Sequence, residues 1–174
     1  IILVRPQLGE NIGASARALL NCGLSEMRIV APRDGWPNVK ALNAASGADR
    51  IISEARIFET LEDAVSDLNV VYATTARSRE ISKPVFDPHA VSIDLIKNRA
   101  LRSGILFGPE RNGLSNEDIS LVDSIIEIPL NPAFSSLNLG QAVLIVSYAW
   151  RLAALDPTNH QKITVNAQDL AKKE

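Results

Sequence analysis

The chain has 174 residues, 46% hydrophobic and 22% charged, a size and balance for one globular domain rather than two. Its 18 Lys and Arg stand against 20 Asp and Glu, a formal net charge of -2, which excludes a uniformly basic nucleic-acid coat and leaves only local patches for such contacts. One cysteine (Cys22) and two histidines (His89 and His160) exclude a disulfide framework and speak against thiolate or zinc clusters, so no metal is expected.

The same cysteine usage reads as a reducing, cytoplasmic compartment. No signal peptide is visible, and the longest apolar stretch, residues 142–150, is far short of the ~20 residues of a membrane span. In chain order, the first predicted strand covers residues 1–4. A helix follows with Ile12, Ala16, Leu19 and Leu20 on one face and Gly23 as its stop. Strands are predicted next over 27–31 and 56–58, then a helix over 61–68 with Thr60 as cap and Asp63 as its capping-box partner. Further strands are predicted over 70–74, 104–107 and 125–128, with a helix around 116–122 capped by Ser115. Continuous apolar runs of this kind suit strands buried on both faces. The alternation predicts an α/β fold: an open, mostly parallel sheet with helices on both faces.

The last predicted helix, roughly residues 137–155, carries two apolar stripes. Leu139, Val143, Val146 and Trp150 form one; Ala142, Ile145, Ala149 and Leu152 form the other. Two readings stay open: burial within the domain, or an interface with a second subunit. The domain is expected to span residues 1–155, with 156–174 a polar tail or the start of a truncated extension. Two loops, 77–88 and 131–136, are longer than plain connectors and follow strands at their carboxyl ends, where open α/β sheets bind ligands.

Several nucleotide chemistries fail on spacing. Residues 9–13 do not make G-x-G-x-x-G. Residues 108–113 have P-loop glycine spacing, but Leu114 stands where the lysine belongs. No G-x-S-x-G elbow is present. Three polar clusters remain: Asn11 to Arg17, Phe107 to Leu114, and Ile128 to Leu130 followed by Ser135 to Asn138. Singly, each has a local explanation: Asn11 as a helix cap, Gly108 as a strand-end turn, Ser135 or Ser136 as an N-cap.

Together and in this order they read N-x-G-x-x-x-R, F-G-x-E-x-x-G-L, and I-P followed by S-L-N. This resembles the SpoU branch of the SPOUT RNA ribose 2′-O-methyltransferases, from about residue 4 to residue 155. Residues 74–79 and 131–139 look like its TrmJ-type members. The resemblance implies a C-terminal trefoil knot, a homodimer, and S-adenosylmethionine as methyl donor. It also implies methylation of a ribose in RNA, most of all in the tRNA anticodon loop; rRNA, or a catalytically silent RNA-binding protein of the same fold, are the alternatives.

The resemblance places the donor against Thr74, Thr75, Ala76, Gly108, Ile128, Ser135, Ser136 and Leu137. The functional polar positions are Arg17, Glu110 and Asn138, with Asn11 opening the first motif. A guanidinium stays protonated, so Arg17 is better suited to hold a phosphate bidentately and stabilise a developing alkoxide than to act as base. Glu110 is expected to anchor a guanidinium, and Asn138 to orient donor or hydroxyl. RNA contact is expected from Arg77, Arg79 and Lys83, and more weakly from Arg33, Trp36 and Lys40. Cys22 is read as a small packing residue.

Overall fold

The computed structural model describes residues 1–75 and 82–158. Among them, seven parallel strands build one sheet: β1 (Ile2–Val4), β2 (Arg28–Val30), β3 (Arg56–Phe58), β4 (Val70–Thr74), β5 (Val85–Phe86), β6 (Ser103–Phe107) and β7 (Ser124–Ile126). Their order is β3-β2-β1-β6-β4-β7-β5. Seven helices cover it: α1 (Gly9–Asn21), α2 (Val39–Ala45), α3 (Asp49–Ser53), α4 (Leu61–Val65), α5 (Pro88–Lys97), α6 (Asn116–Ser120) and α7 (Leu139–Leu155). Among the described residues no helix is long and apolar enough to cross a membrane.

The continuous apolar runs are explained by burial on both faces. Leu3, Ile29, Tyr72, Ile105, Phe107 and Ile126 turn to one side and pack with Ile12, Leu19, Ala41, Val143 and Val146. Their alternates Ile2, Val4, Val30, Val71, Ala73, Leu106 and Ile125 turn to the other, against Leu61, Ala64, Leu114 and Ile119. The period of two along each strand produces this division. On the edge strand β3, Arg56 and Ile57 are exposed, and on the opposite edge Val85 of β5 is too.

Each predicted strand is present: 56–58 and 70–74 as predicted, the others trimmed or shifted by a residue or two at their ends. Helices α4 and α6 stop short of the predicted residues 68 and 122. Thr60 does cap α4, accepting from the Asp63 N–H, and Ser115 with Asp118 forms a reciprocal capping box on α6. The sequence reading missed α2, α3, α5 and β5. The first two are too short for a helical period to show, although Asn38 caps α2 through the N–H groups of Lys40 and Ala41. The start of α5 does carry a signal: Asp87 accepts from the Ala90 N–H and Pro88 sits in the first turn. Strand β5 lies within the predicted 77–88 loop and holds its place by pairing with β7. The polar tail predicted for 156–174 lies, from residue 159 onward, outside the described residues, as does the middle of the 77–88 loop.

At the amino ends of the strands, Arg28 is buried. Its guanidinium donates to the Ala64 carbonyl at 2.7 Å and pairs with Glu26 and Asp67. The hydrogen bond from Arg28 draws the Asp67 carboxyl from its ordinary 3.8 down to about 2. The unfolded chain therefore binds that proton more readily, so the pairing stabilises fully above about pH 4 and is lost as pH falls from there toward 2. Asp67→Asn is expected to lower the urea midpoint at pH 7, with the gap to the wild type closing between pH 4 and 2. A gap undiminished at pH 2 contradicts the assignment.

Candidate functional site

Parallel strands end on a common edge, and the carboxyl ends of β6, β4 and β7 surround a cavity of about 340 Å³. The tip of β4 is pinned on both sides: Thr74 Oγ1 donates to the Leu106 carbonyl at 2.9 Å, and the Thr75 N–H to the Ile126 carbonyl at 3.1 Å. One wall is the turn after β6, closed by the Gly113 N–H donating to the Pro109 carbonyl at 2.8 Å. Gly108 is required there, because a Cβ would lie 2.5 Å from the Leu114 nitrogen and 2.7 Å from the Gly113 carbonyl carbon. Both are backbone atoms that cannot move aside. Gly113 takes φ +66, in the left-handed region.

The other wall runs from β7 to α7. Ile128, Ser135, Ser136 and Leu137 line the cavity from this side, as Thr74, Thr75 and Gly108 do from the first. The structure thus gathers the proposed donor-holding residues around one space. Ala76 lies outside the described residues.

A hydrogen-bonded relay joins the three sequence motifs. Glu110 accepts from the N–H groups of Gln7 (2.7 Å) and Leu8 (3.1 Å) and from Asn11 Nδ2 (2.9 Å). Asn11 Oδ1 in turn accepts from Asn138 Nδ2 at 2.8 Å. Asn138 Oδ1 accepts from the N–H groups of Gly140 and Gln141, and the Asn138 N–H in turn donates to Gln141 Oε1.

Three local expectations are corrected by this relay. Asn11 is not a helix cap: α1 starts at Gly9, and its N-cap Leu8 has no capping side chain. The Glu110 carboxylate, from a different loop, instead holds the N–H groups of Leu8, the N-cap residue, and of Gln7 before it, close to the positive end of α1. Ser135 and Ser136 do not cap α7; Asn138 does. Glu110 grips main-chain and amide donors rather than an arginine fork. Asn11 and Asn138 lie outside the cavity lining, and their bonds tie α1 and α7 to the loop after β6.

Arg17 sits on the exposed side of α1, outside the lining of this chain's own cavity. Its guanidinium has no hydrogen bond or ion pair to another described residue. The predicted RNA patches fare differently. Arg77 and Arg79 lie outside the described residues. The Lys83 ammonium donates to the carbonyls of Val122 and Ser120, compensating the carboxyl end of α6 rather than facing a phosphate. In the weaker patch, Arg33 pairs with Asp34 and Lys40 with Glu10, while Trp36 is half-buried against the core. Cys22 is buried, and that burial pushes its thiol pKa up, in keeping with a packing role.

The sequence reading did not single out Gln7, whose side chain holds the Arg111 N–H at 3.1 Å. It also passed over Arg111, an exposed cation on the cavity wall, and Phe134, an exposed ring beside the serines of the other wall. An aromatic in a proline-containing loop was the available signal for the last.

The family model described as SpoU rRNA Methylase matches residues 1–148. A Pseudomonas aeruginosa (strain UCBPP-PA14) protein named tRNA (cytidine/uridine/adenosine-2'-O-)-methyltransferase TrmJ is 37% identical over 168 residues, 93% of this chain and 65% of its own length. The structure of TrmJ from Z. mobilis ZM4 matches with a TM-score of 0.84 and 55% identity, covering 90% of this chain and 70% of that one. That of a probable methylase family protein from Haemophilus influenzae Rd KW20 matches with a TM-score of 0.83 and 33% identity, over 87% of this chain and 64% of its own. The chain therefore spans about 65% of the length of the P. aeruginosa relative.

Proposed function

The chain belongs to the SpoU methylase family, and on that premise we propose that it transfers a methyl group from S-adenosylmethionine to a ribose 2′-hydroxyl of RNA. The substrate we infer is tRNA, at an anticodon-loop nucleotide, in the cytoplasm. One observation carries the reading: the loops leaving β4, β6 and β7, two of them carrying the second and third motifs, converge on a single cavity at the carboxyl edge of a parallel sheet.

The residues suit the donor. Ile128 and Leu137 offer apolar surface to an adenine, and the Gly108 turn, which has no room for a Cβ, brings main-chain donors and acceptors close to it. The donor supplies a methyl on a sulfonium, already activated, so the protein's task is placement and charge stabilisation. Thr74, Thr75, Ala76, Gly108, Ile128, Ser135, Ser136 and Leu137 hold the donor. Arg17 grips the phosphate beside the target ribose and stabilises the oxygen as its proton leaves. Arg77 and Arg79 add phosphate contacts, while Lys83 anchors their loop. No metal takes part.

A homodimer completes this arrangement. Helices α1 and α7 pack side by side: a Cβ on Gly140 would meet that of Ala14 at 2.8 Å. Outward they expose Leu20, Leu144, Tyr148, Leu152 and Leu155, between 42% and 58%. A second copy covering these side chains would bury Leu20 one turn from Arg17 and carry that arginine toward the neighbour's cavity. Light scattering at micromolar concentration is expected to give twice the chain mass, and Leu152→Glu to give monomers with much reduced activity. A monomeric wild type refutes the shared site.

Incubating the protein with total RNA and labelled donor, in the presence of a chelator, tests the function. The expected product is a 2′-O-methylated tRNA nucleotide. Label confined to rRNA moves the substrate; no label, with RNA still bound, favours the silent binding protein; loss on chelation refutes the metal-free chemistry.

A further inference from the structure

We propose that the mouth of the cavity seats the target nucleotide between two side chains that the fold leaves idle, Phe134 stacking on its base and Arg111 pairing with its phosphate. The proposal rests on the methyltransferase reading above and says where the acceptor lies.

Phe134 is 74% exposed, more than any other large hydrophobic residue described. Water is a poor environment for a phenyl ring, yet the loop holds it there firmly. The Phe134 N–H donates to the Asn131 carbonyl at 2.8 Å, and the Ala133 N–H to Asn131 Oδ1 at 3.0 Å. The next residues, Ser135 to Leu137, line the cavity, so the ring stands immediately outside the space assigned to the donor.

Arg111 stands on the opposite wall. It is the one cation among the described residues lining the cavity. Its backbone is fixed by Gln7, but its guanidinium has no hydrogen bond or ion pair to a described residue. The adjacent Glu110 makes no ion pair with it; its carboxylate oxygens accept from Gln7, Leu8 and Asn11 instead. Being exposed, the guanidinium faces what arrives from solvent more than what fills the cavity.

An aromatic face and an arginine fork are the two groups a single-stranded nucleotide needs. Stacking tolerates any base, since every base has a π-face, and the fork matches phosphate bidentately. The mouth then grips a nucleotide without reading its sequence, leaving base choice to contacts elsewhere on the RNA.

The test measures binding of unmodified tRNA over a salt series, donor binding by calorimetry and single-turnover methylation. Phe134→Ala is expected to weaken tRNA binding by roughly 5- to 150-fold, with donor affinity unchanged. Phe134→Trp should restore it and Phe134→Leu should not. Arg111→Gln is expected to lower the slope of log affinity against log salt by about 1, again with donor affinity unchanged. Phe134→Leu binding like wild type means simple apolar cover and overturns the stacking role. Arg111→Gln losing donor affinity assigns that guanidinium to the donor carboxylate and overturns the phosphate role. Binding is read without turnover. A wild type that binds tRNA but never methylates therefore refutes the proposed activity, while the Phe134 and Arg111 variants still decide this proposal.

Discussion

Arg17→Ala is expected to slow single-turnover methylation by roughly 10²- to 10³-fold, the cost of removing one charge stabiliser from a transition state. Donor affinity is expected to stay unchanged. The reasons are positional: Arg17 is exposed on α1, its guanidinium is bonded to no other described residue, and it is absent from the cavity its own chain builds. An arginine that merely stabilised the fold would have an acidic partner, as Arg5 has in Asp118 and Arg28 in Asp67. Arg17→Lys is expected to recover little, since an ammonium keeps the charge but not the planar fork. Normal methylation at saturating donor, coupled with lost donor binding, would move Arg17 into the donor site and refute the assignment.

Glu110→Ala is expected to cost about 2–3 kcal/mol of stability and to weaken donor binding as well. Three donors lose their acceptor at once, two of them the N–H groups of Gln7 and Leu8 just ahead of α1, and charge-assisted bonds of this kind contribute roughly 1.5–3 kcal/mol. The same carboxylate holds the turn containing Gly108, so releasing it loosens one wall of the cavity. Glu110→Gln keeps one accepting oxygen but points N–H groups at other donors, and is expected to recover less than half. Urea unfolding of Glu110→Ala, Asn138→Ala and the double variant gives the coupling through Asn11, expected at about 0.5–3 kcal/mol. Strict additivity would mean that the relay does not act as a unit.

The sheet was legible because its inner strands are short apolar runs buried on both faces, from Ile2–Val4 to Ser124–Ile126, whereas the exposed two-residue edge strand β5 was missed. Thr60 and Ser115 marked helix starts correctly because a cap acts within three residues of itself. Glu110 was misread for the opposite reason. Its partners lie about a hundred positions upstream, and nothing local tells a carboxylate that binds a guanidinium from one that holds the main chain of a distant segment. Lys83 reads as a free cation until the carboxyl end of α6 is placed beside it. Asn138 looked like a group for donor or hydroxyl, but its carbonyl faces the N–H groups of its own helix. The second and third motifs pointed to the residues that line the cavity, while the tertiary contacts decided which members of the three motifs face it.

The strand order has a consequence for how the chain is made. Strand β1 lies between β2, its close successor, and β6, which follows a hundred residues later. A ribosome releases the chain from the amino end, so β1 to β3 emerge with one side of β1 bare until β6 arrives. Those apolar backbones are an open template for mispairing throughout that interval. The bonds that close the site come later still: Asn11 must wait for Glu110, 99 positions on, and for Asn138, 127 positions on. A growing chain stalled before α7 therefore has an incomplete cavity and unmet polar groups on α1. Slow, late closure of this kind is what a parallel topology with distant neighbours imposes, and it makes the nascent protein a natural client for factors that shield exposed strands.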